Sequence, residues 1–358
     1  MMVNRRDFLL GTATVATALA MPNILRAQEL KKVRFAYGVS AIGMHALDVA
    51  IGSELGFYRE EGLELEILSL GQTPLATLAL DTGDSEFGVG TLSFHLPLVA
   101  KGELPPVINI MEMAYPYKYD VVVPPNSAIT SYADLKGKRI GVSTLGVTEY
   151  PATRALLKGL GIDPDQDVDW LPVGSGLAGG TAMTQGVVDA LASYDATLGT
   201  IEGAGIAFTT LPRPEKVPNF GGNFTTVSKR FLAEQPDTAV AFCRALLKSQ
   251  AFIAANPAGA CRAFVAMYPE FIPRGADMAS AVASIRPAAE RRAALFTPFI
   301  TNQRHGEMNL AEYEESADFL GLAITQDMST LFTNDLIDAM NDFDRAAVQQ
   351  QAAAYPID

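Results

Sequence analysis

The sequence predicts an α/β protein with two doubly wound lobes, joined by two crossover segments and followed by a helical C-terminal extension. Three observations predict this fold. The chain has 358 residues, enough for two domains, and 49% of them are apolar while only 19% are charged, so a substantial core is expected. Short apolar runs alternate with helical patterns from residue 33 to about residue 210. This alternation starts afresh near residue 131, after a pair of prolines.

Residues 1–27 are predicted to be an export signal and not part of the fold. Arg5 and Arg6 precede an apolar stretch from Leu9 to Met21, and Ala27 places a small residue at a suitable cleavage point. The pattern resembles a twin-arginine signal, and an amphipathic helix is the weaker alternative because no charged face is present. The apolar stretch is shorter than the roughly 20 residues of a membrane-spanning helix, and we expect no other stretch to approach that length. These features predict a soluble protein, exported to the periplasm by the twin-arginine machinery.

The charge balance excludes some classes of partner. The chain contains 27 Lys and Arg against 40 Asp and Glu, a formal net charge of −13. An acidic surface of this kind repels nucleic-acid phosphates and anionic lipid. We therefore expect neither nucleic-acid binding nor docking on a membrane surface.

The first lobe is predicted to begin at residue 28 and to run to residue 117. Its predicted strands are Val33–Tyr37, Leu63–Leu68, Glu86–Val89 and Val107–Met113, and its predicted helices cover about 44–56, 73–81 and 93–101. Thr73 and Pro74 are predicted to be a helix N-cap and the first helical residue.

The second lobe is predicted to cover residues 118–222 and to repeat this pattern. Its predicted strands are Tyr119–Val123, Arg139–Ser143, Val168–Val173 and Ala190–Tyr194, and its predicted helices are Ser131–Lys136 and about 148–160, 179–187 and 195–203. Gly137 ends the first of these helices.

The remainder, residues 223–358, is predicted to return to the first lobe and to end in helices. Asn223–Val227 is predicted to be a strand that runs back, after a segment rich in Pro and Gly. A 3.6-residue apolar period follows it. The chain thus crosses between lobes twice, near 115–125 and near 220–227, which is typical of a hinge beside a cleft.

Two cysteines, Cys243 and Cys261, lie in Ala-rich helical stretches. Export permits a disulfide between them. Two buried thiols that pack as small apolar groups are the interpretation we favour.

Four stretches, in this order, resemble one family: IGSELGFYREEGLELEI at 51–67, ALDTGDSEFGV at 79–89, YADLKGKRIGV at 132–142 and MTQGVVDA at 183–190. The family is that of periplasmic substrate-binding proteins of ABC importers, in the nitrate/sulfonate/taurine and thiamine-pyrimidine-precursor group. The resemblance implies a type II periplasmic-binding-protein fold. It also implies a monomeric receptor that captures a small molecule between its lobes and hands it to an inner-membrane permease.

The candidate binding site follows from the geometry of parallel sheets, in which ligands lie beyond the carboxyl ends of the strands. In this chain the loops at those ends carry polar or aromatic residues. The candidate ligand-binding residues are Ser40, His45, Gln72, Thr91, Ser93, Tyr115, Thr144, Thr148, Tyr194 and Asp195. A cap or turn role competes with ligand contact at each position taken singly, and we expect four or five of the set to contact ligand.

The same loops constrain the charge of the ligand. Apart from Lys118 they contain no basic residue, so no arginine clamp on an anion is visible unless Arg154 turns inward. Glu149 and Asp195 could accept hydrogen bonds from an amine or a heterocyclic N–H. We expect a small organic molecule, of the sulfonate, aromatic, heterocyclic or carboxylate type, rather than nitrate. The rings available for stacking are Phe94, Tyr115, Tyr117 and Tyr194.

Catalysis is not predicted. The residues Gly174–Gly179 satisfy a dinucleotide-binding pattern, with Asp195 at the end of the next strand, and an exported oxidoreductase is therefore one alternative. A receptor that serves a sensor is another. Against an enzyme, His45, His95 and His305 have no partner at a diagnostic spacing, and the cysteine-rich cluster of the family's pyrimidine-synthesising relatives is missing from the sequence. We expect no cofactor and no metal, since His305 and Glu307 alone are too few ligands.

Overall fold

The computed structural model describes residues 29–116, 118–215, 217, 222–296 and 304–357. The predicted export signal lies outside these residues, and so does Tyr117, one of the rings predicted to stack on a ligand. Within the described ranges the chain forms two five-stranded sheets and a set of helices around them.

The strands in the described chain are β1 (Lys31–Tyr37), β2 (Leu63–Ser69), β3 (Phe87–Gly90), β4 (Val107–Ala114), β5 (Tyr119–Val123), β6 (Arg139–Val142), β7 (Asp169–Pro172), β8 (Ala190–Tyr194), β9 (Thr209–Thr210) and β10 (Asn223–Ser228). The helices are α1 (Leu47–Glu54), α2 (Phe57–Glu60), α3 (Thr73–Thr82), α4 (Leu92–Lys101), α5 (Glu149–Gly159), α6 (Leu177–Thr184), α7 (Asp195–Gly203), α8 (Lys229–Glu234), α9 (Pro236–Ala255), α10 (Pro257–Met267), α11 (Met278–Ala293), α12 (Leu310–Leu320), α13 (Ile337–Met340) and α14 (Arg345–Ala354). Short 3-10 helices cover Met44–Ala46, Tyr132–Leu135, Pro269–Phe271 and Met328–Leu331.

The two sheets share one plan. The first has the order β2-β1-β3-β10-β4 and the second has the order β7-β6-β8-β5-β9. In each sheet the first three strands of this order are parallel to one another. The fourth strand, which follows a crossing from the other sheet, is antiparallel to both of its neighbours. We call the first sheet with its helices lobe 1 and the second sheet with its helices lobe 2. The predicted α/β architecture of two doubly wound lobes is confirmed.

The crossover segments lie side by side. β4 ends at Ala114 and β5 begins at Tyr119, so the outward crossing is short. On the return, the backbone N–H of Gly222 donates to the carbonyl of Ala114 at 2.7 Å, and Asn223 pairs with the same residue. The two crossings are therefore held together by backbone pairing where β10 meets the end of β4, in the first sheet.

The start of α3 differs from the prediction. The N-cap position is occupied by Gln72, whose side chain makes no capping hydrogen bond, while Thr73 and Pro74 are already helical. Pro74 still fits, because the first turn of a helix needs no N–H there. The Thr73 hydroxyl is thereby left to bond outside its own helix. At the other end, Gly83 adopts φ +83° and ends α3 as a left-handed C-cap.

The C-terminal helices complete the core of lobe 1. The rings of Phe87 and Phe242 stack with centres 3.9 Å apart, which joins α9 to the first sheet. Among the described residues, α9 is the one helix long and apolar enough to cross a membrane, contrary to the expectation that none is. Since 61% of its most apolar window is buried inside the protein, α9 is better explained as a core helix.

Both cysteines are free thiols, as the favoured interpretation predicted. Cys243 and Cys261 are each fully buried. Burial raises the pKa of both thiols, that of Cys261 to about 12, because a thiolate is disfavoured in an apolar environment.

Thiol titration without a reducing agent tests this arrangement. The folded protein should leave both thiols unreactive toward a thiol-specific reagent for minutes, since neither sulfur is accessible and neither is ionised at neutral pH. After unfolding in guanidinium, two thiols per chain should react at once. A requirement for added reductant before any thiol reacts would instead establish a disulfide.

Candidate functional site

A cavity lies between the two lobes, at the carboxyl ends of their parallel strands. The lobes touch beside it: the Thr73 and Thr148 hydroxyl oxygens are 3.1 Å apart, and the Thr73 N–H donates to the carbonyl of Gly146 at 3.4 Å. The lining residues are Tyr37, Gly38, Val39, His45, Thr73, Val89, Thr91, Lys118, Tyr119, Val147, Thr148, Glu149, Tyr194 and Asn223. Both lobes and both crossovers therefore contribute to one site.

A buried arginine lies behind this cavity. Arg292, from α11, is fully buried and donates from Nη2 to Asp48 Oδ1 at 3.3 Å and from Nη1 to Asp195 Oδ2 at 3.2 Å. Its Nη2 also donates to the carbonyl of His45 at 3.1 Å. Burial by itself lowers the pKa of Arg292, but the two carboxylates outweigh it and raise that pKa above its ordinary value. The guanidinium is thus charged, and its Nη1 and Nη2 groups donate to protein oxygens, while Nε has no hydrogen-bond partner among the described residues.

Lys118 brings a second positive charge to the cavity itself. It is 6% exposed, and its Nζ lies 4.0 Å from Asp195 Oδ1, beyond hydrogen-bond distance. The same Nζ is 5.0 Å from the ring centre of Tyr194 and 5.4 Å from that of Tyr119, in range for cation–π attraction. Burial lowers the pKa of Lys118 to about 8, against the opposing attraction of Asp195. At neutral pH the amine is mostly protonated and has donors to offer.

Several buried polar atoms around the cavity have no hydrogen-bond partner among the described residues. They are Tyr37 Oη, His45 Nε2, Thr91 Oγ1 and Glu149 Oε2. Leaving such groups unpaired in an apolar setting costs free energy. All four belong to residues that line one cavity, which is the pattern expected of groups that serve a bound polar molecule.

Burial disfavours the charged form of two titratable groups in the cavity. Burial, with the nearby charges of Lys118 and Arg292, lowers the pKa of His45 to about 3, so its imidazole is uncharged. Burial also raises the pKa of Glu149, although hydrogen bonds from the Ser143 hydroxyl and N–H to Glu149 Oε1 oppose that shift. The cavity therefore presents hydrogen-bonding groups more than net charge.

The structure places the predicted site residues in three groups. His45, Thr91, Thr148 and Tyr194 line the cavity. Ser40 and Thr144 line an adjoining, larger chamber, which His45 and Tyr194 also border. The others lie elsewhere: Asp195 is held by Arg292, Gln72 is exposed and packs against Gly146, Ser93 is buried in α4, and the N–H of Tyr115 donates to the carbonyl of Leu295 at 3.0 Å.

The prediction about charge needs a correction. Arg154 points away from the cleft and pairs with Asp165 at 2.8 Å. An arginine nevertheless reaches the site from α11, which the sequence predicts only as part of a helical tail. The available signals are local: Arg292 lies among alanines, and Asp48 interrupts an otherwise apolar helix that is buried from Leu47 to Gly52. Neither signal predicts that Arg292 and Asp48 form an ion pair.

The ring contacts also differ from the prediction. Of the rings expected to stack on a ligand, Tyr194 lines the cavity, while Phe94 lies in the first turn of α4 with its ring centre 5.8 Å from that of His95. Tyr37 and Tyr119, which the loop argument omitted because they lie within strands, are in the cavity wall. Among the described residues no cluster of His, Cys, Asp or Glu is placed to hold a metal ion.

The glycine-rich motif does not have the geometry of a dinucleotide site. Gly174–Gly179 follows β7, which is the edge strand of its sheet, and leads into α6. Asp195 follows β8, and β6 separates that strand from β7. In a dinucleotide fold the ribose-binding acid follows the strand beside the glycine loop and is free. Here the carboxylate of Asp195 is bound to Arg292.

These features define a periplasmic-binding-protein fold, with two similar α/β lobes, paired crossovers and a cavity at the seam. Solved structures support the class. A Bordetella bronchiseptica protein matches 88% of this chain and 98% of its own, at a TM-score of 0.67 and 20% identity. The alkanesulfonate-binding protein SsuA from Xanthomonas axonopodis pv. citri, bound to MOPS, matches 87% and 98% at a TM-score of 0.58 and 18% identity. The desulfurization enzyme DszB matches 87% and 98% at a TM-score of 0.51 and 17% identity.

The chain belongs to the NMT1/THI5-like family, whose sequence model matches residues 45–260. A Haemophilus influenzae protein, whose name assigns it to thiamine biosynthesis, is 25% identical over 224 residues, covering 62% of this chain and 69% of that protein. All four stretches that carried the predicted resemblance lie inside the family match. The resemblance is confirmed at the level of the family, and the export signal predicted with it lies outside the described residues.

The lowered pKa of Lys118 predicts a pH-dependent stability. Between pH 8 and the ordinary lysine value of 10.5, the unfolded chain binds more protons at this group than the folded protein does. Raising the pH through that window should stabilise the wild type over Lys118→Met by about 2–3 kcal/mol in free energy of unfolding.

Urea unfolding at intervals from pH 7 to pH 10.5 would measure this difference. Lys101→Met, at an exposed lysine that ends α4, is the control and should show no such trend. A wild-type advantage that stays constant over the whole window would contradict the assignment.

Proposed function

We propose that the protein is a periplasmic solute receptor that captures a small organic molecule between its lobes and delivers it to the permease of an ABC importer. The observation that carries the proposal is the shared cavity. Tyr37 and Thr91 line it from lobe 1, and Glu149 and Tyr194 line it from lobe 2. A ligand that contacts both walls binds the closed form more tightly than the open one, and so favours closure.

The chemistry of the wall favours a ligand with a ring and with both hydrogen-bond acceptors and donors. Tyr37, Tyr119 and Tyr194 offer aromatic surface, and Val39, Val89 and Val147 offer apolar surface. Lys118 would donate to an acceptor such as a carbonyl, carboxylate or sulfonate. The unpartnered oxygen of Glu149 would accept from an N–H group, or donate when the carboxyl is protonated.

The charge around the cavity argues against a small inorganic anion as the ligand. Arg292 and Lys118 are matched by Asp48 and Asp195, so the four groups sum to zero. A site for nitrate would need an excess of positive charge or a ring of free N–H donors. The names of the similar proteins, which refer to alkanesulfonate binding and to thiamine biosynthesis, support an organic ligand.

We propose binding without chemical conversion of the ligand. An enzyme, DszB, shares the fold, so the fold alone does not decide this point. The thiols of Cys243 and Cys261 are buried in the core cluster of lobe 1 and are not part of the cavity wall. A ligand recovered unchanged after incubation with the protein supports the receptor, and a product supports an enzyme.

A thermal-shift screen over sulfonates, aromatic carboxylates, N-heterocycles and amines tests the proposal. A ligand at about 100 times its Kd should add about 2.7 kcal/mol to the free energy of unfolding. We expect saturable shifts from ring compounds and none from nitrate, with mass spectrometry recovering the ligand intact. If no class shifts the transition, or if the hit is converted, the receptor proposal is wrong. Stimulation of the permease's ATPase by the loaded receptor would separate transport from sensing.

Variants at two residues of the cavity wall would show which side chains bind the compound that gives the largest thermal shift. Lys118→Met should weaken ligands that carry an acceptor group by about 10-fold to 100-fold, as expected for a hydrogen bond to a charged donor. Glu149→Gln should act mainly on ligands with an N–H. The matched control is Lys101→Met, which lies outside the cavity and should bind as the wild type does. Unchanged binding by both cavity variants would place the ligand elsewhere.

We propose that residues 1–27 direct export through the twin-arginine machinery. The paired arginines, Arg5 and Arg6, followed by an apolar stretch, support this. Replacing both with lysine keeps the charge and should leave the full-length protein in the cytoplasm. Periplasmic fractionation measures the outcome, and export at the wild-type level by the double variant would exclude this route.

A further inference from the structure

Arg292 is the one group among the described residues whose side chain forms buried ion pairs with both lobes. Asp48 belongs to α1 in lobe 1 and is fully buried, while Asp195 begins α7 in lobe 2 and is 5% exposed. We propose that Arg292 is a positioning residue that ties the lobes together in the closed arrangement. The tie consists of protein atoms alone, so it acts before any ligand adds its own contacts.

The helix that carries Arg292 is anchored in lobe 1. Ala281, Ile285 and Ala289 of α11 are buried in the same hydrophobic cluster as the strands and helices of lobe 1. On the Asp48 side the tie is held further, because Gln250 Nε2 donates to Asp48 Oδ2 at 3.4 Å and to the carbonyl of Met113 at 3.0 Å. Met113 lies near the end of β4, next to the outward crossover. Through Gln250, the Arg292–Asp48 pair is therefore connected to the strand that leads into the hinge.

The same helix packs on lobe 2 at very close range. Gly199 and Gly203, one turn apart on α7, face α11 so closely that a Cβ at Gly199 would lie 2.2 Å from Ala288 Cα and one at Gly203 would lie 1.7 Å from the Ser284 carbonyl oxygen. Only glycine permits this approach. Beside this seam Arg291 makes two bonds of 2.7 Å to Glu202, but these two side chains are 29% and 37% exposed.

Arg292 and its neighbour Arg291 differ in burial: the Arg292 side chain is fully buried, and the Arg291 side chain is 29% exposed. An exposed ion pair is screened by water and contributes little. A buried one cannot lose a partner without leaving an uncompensated charge. If α7 moved away from α11, Arg292 would keep Asp48 and lose Asp195, and Asp195 would lose its hydrogen-bonded cation, whereas Arg291 and Glu202 would simply be hydrated. Arg292 thus opposes opening far more strongly than Arg291 does.

The role of lobe closure in ligand capture rests on the proposed function. The effect of Arg292 on the distance between the lobes can be measured without a ligand. Spin labels on Leu78→Cys in α3 and Leu177→Cys in α6 would report the distance between lobes, since these side chains are 50% and 55% exposed. The native cysteines are fully buried and stay unlabelled in the folded protein. The full chain with both labels is compared with the same chain carrying Arg292→Met or Arg291→Met.

Arg292→Met should lower the ratio of closed to open molecules about tenfold or more and lengthen the mean distance, a change within the usual range for coupling between sites. Arg291→Met should leave the distance distribution close to that of the parent. Asp195→Asn, which keeps the shape and removes only the charge in lobe 2 that pairs with Arg292, should lie between them and serves if Arg292→Met does not fold. Circular dichroism establishes that each variant is folded.

Distance distributions that coincide for the parent and for every folded variant at Arg292 or Asp195 would overturn the inference. That outcome says nothing about whether a ligand binds. Conversely, the screen could find no ligand while the Arg292 variant shows a longer distance between the lobes. That result would reject the proposed function and support the role of Arg292 in holding the lobes together.

Discussion

A fully buried guanidinium has to be paired, and this constraint organises the centre of the molecule. Arg292 is excluded from water, so its charge is stable only where carboxylates reach it. Asp48 and Asp195 come from different lobes, and the carbonyl of His45 comes from the turn between β1 and α1. Satisfying one side chain therefore fixes the mutual positions of α1, α7 and α11. The walls of the cavity are continuous with these same elements, and their spacing follows from that pairing.

The pairing also determines which groups are left for recognition. Arg292 binds only one oxygen of Asp195, Oδ2; Oδ1 lies 4.0 Å from Lys118 Nζ and has no hydrogen-bond partner among the described residues. Lys118 stays close enough to Asp195 to keep most of its proton and far enough to keep its donors. Burial, assisted by the nearby positive charges of Lys118 and Arg292, lowers the pKa of His45 and keeps it neutral. The site thus combines hydroxyls, aromatic rings, the Glu149 carboxyl group and the Lys118 amine, and the Arg292 charge behind it is paired with Asp48 and Asp195.

The sequence predicts the local elements well and the long-range pairings poorly. β5 and β8 have their predicted bounds, because each is a short apolar run with a polar or proline boundary. The loops that hold His45, Thr91 and Thr148 follow from the rule that parallel strands present their carboxyl ends together. No such rule exists for Arg292, which lies 244 positions from Asp48 in the chain. The same limit explains Thr73: its local pattern predicts a helix cap, while its hydroxyl meets Thr148 across the cleft.

The hinge and the binding site share residues, and this has a consequence for how a ligand acts. Tyr119 pairs with Tyr194 in the second sheet, which sets Lys118, the last residue of the outward crossover, beside the ring of Tyr194. In the first sheet Phe224 pairs with Gly90, which sets Asn223, on the return crossover, beside Thr91. Each antiparallel strand thus delivers one hinge residue to the end of the parallel strand next to it. A ligand in the cavity would touch both lobes and both crossings together. Its binding energy would then differ between open and closed forms by the sum of those contacts, and only such a difference can shift the equilibrium between the two forms.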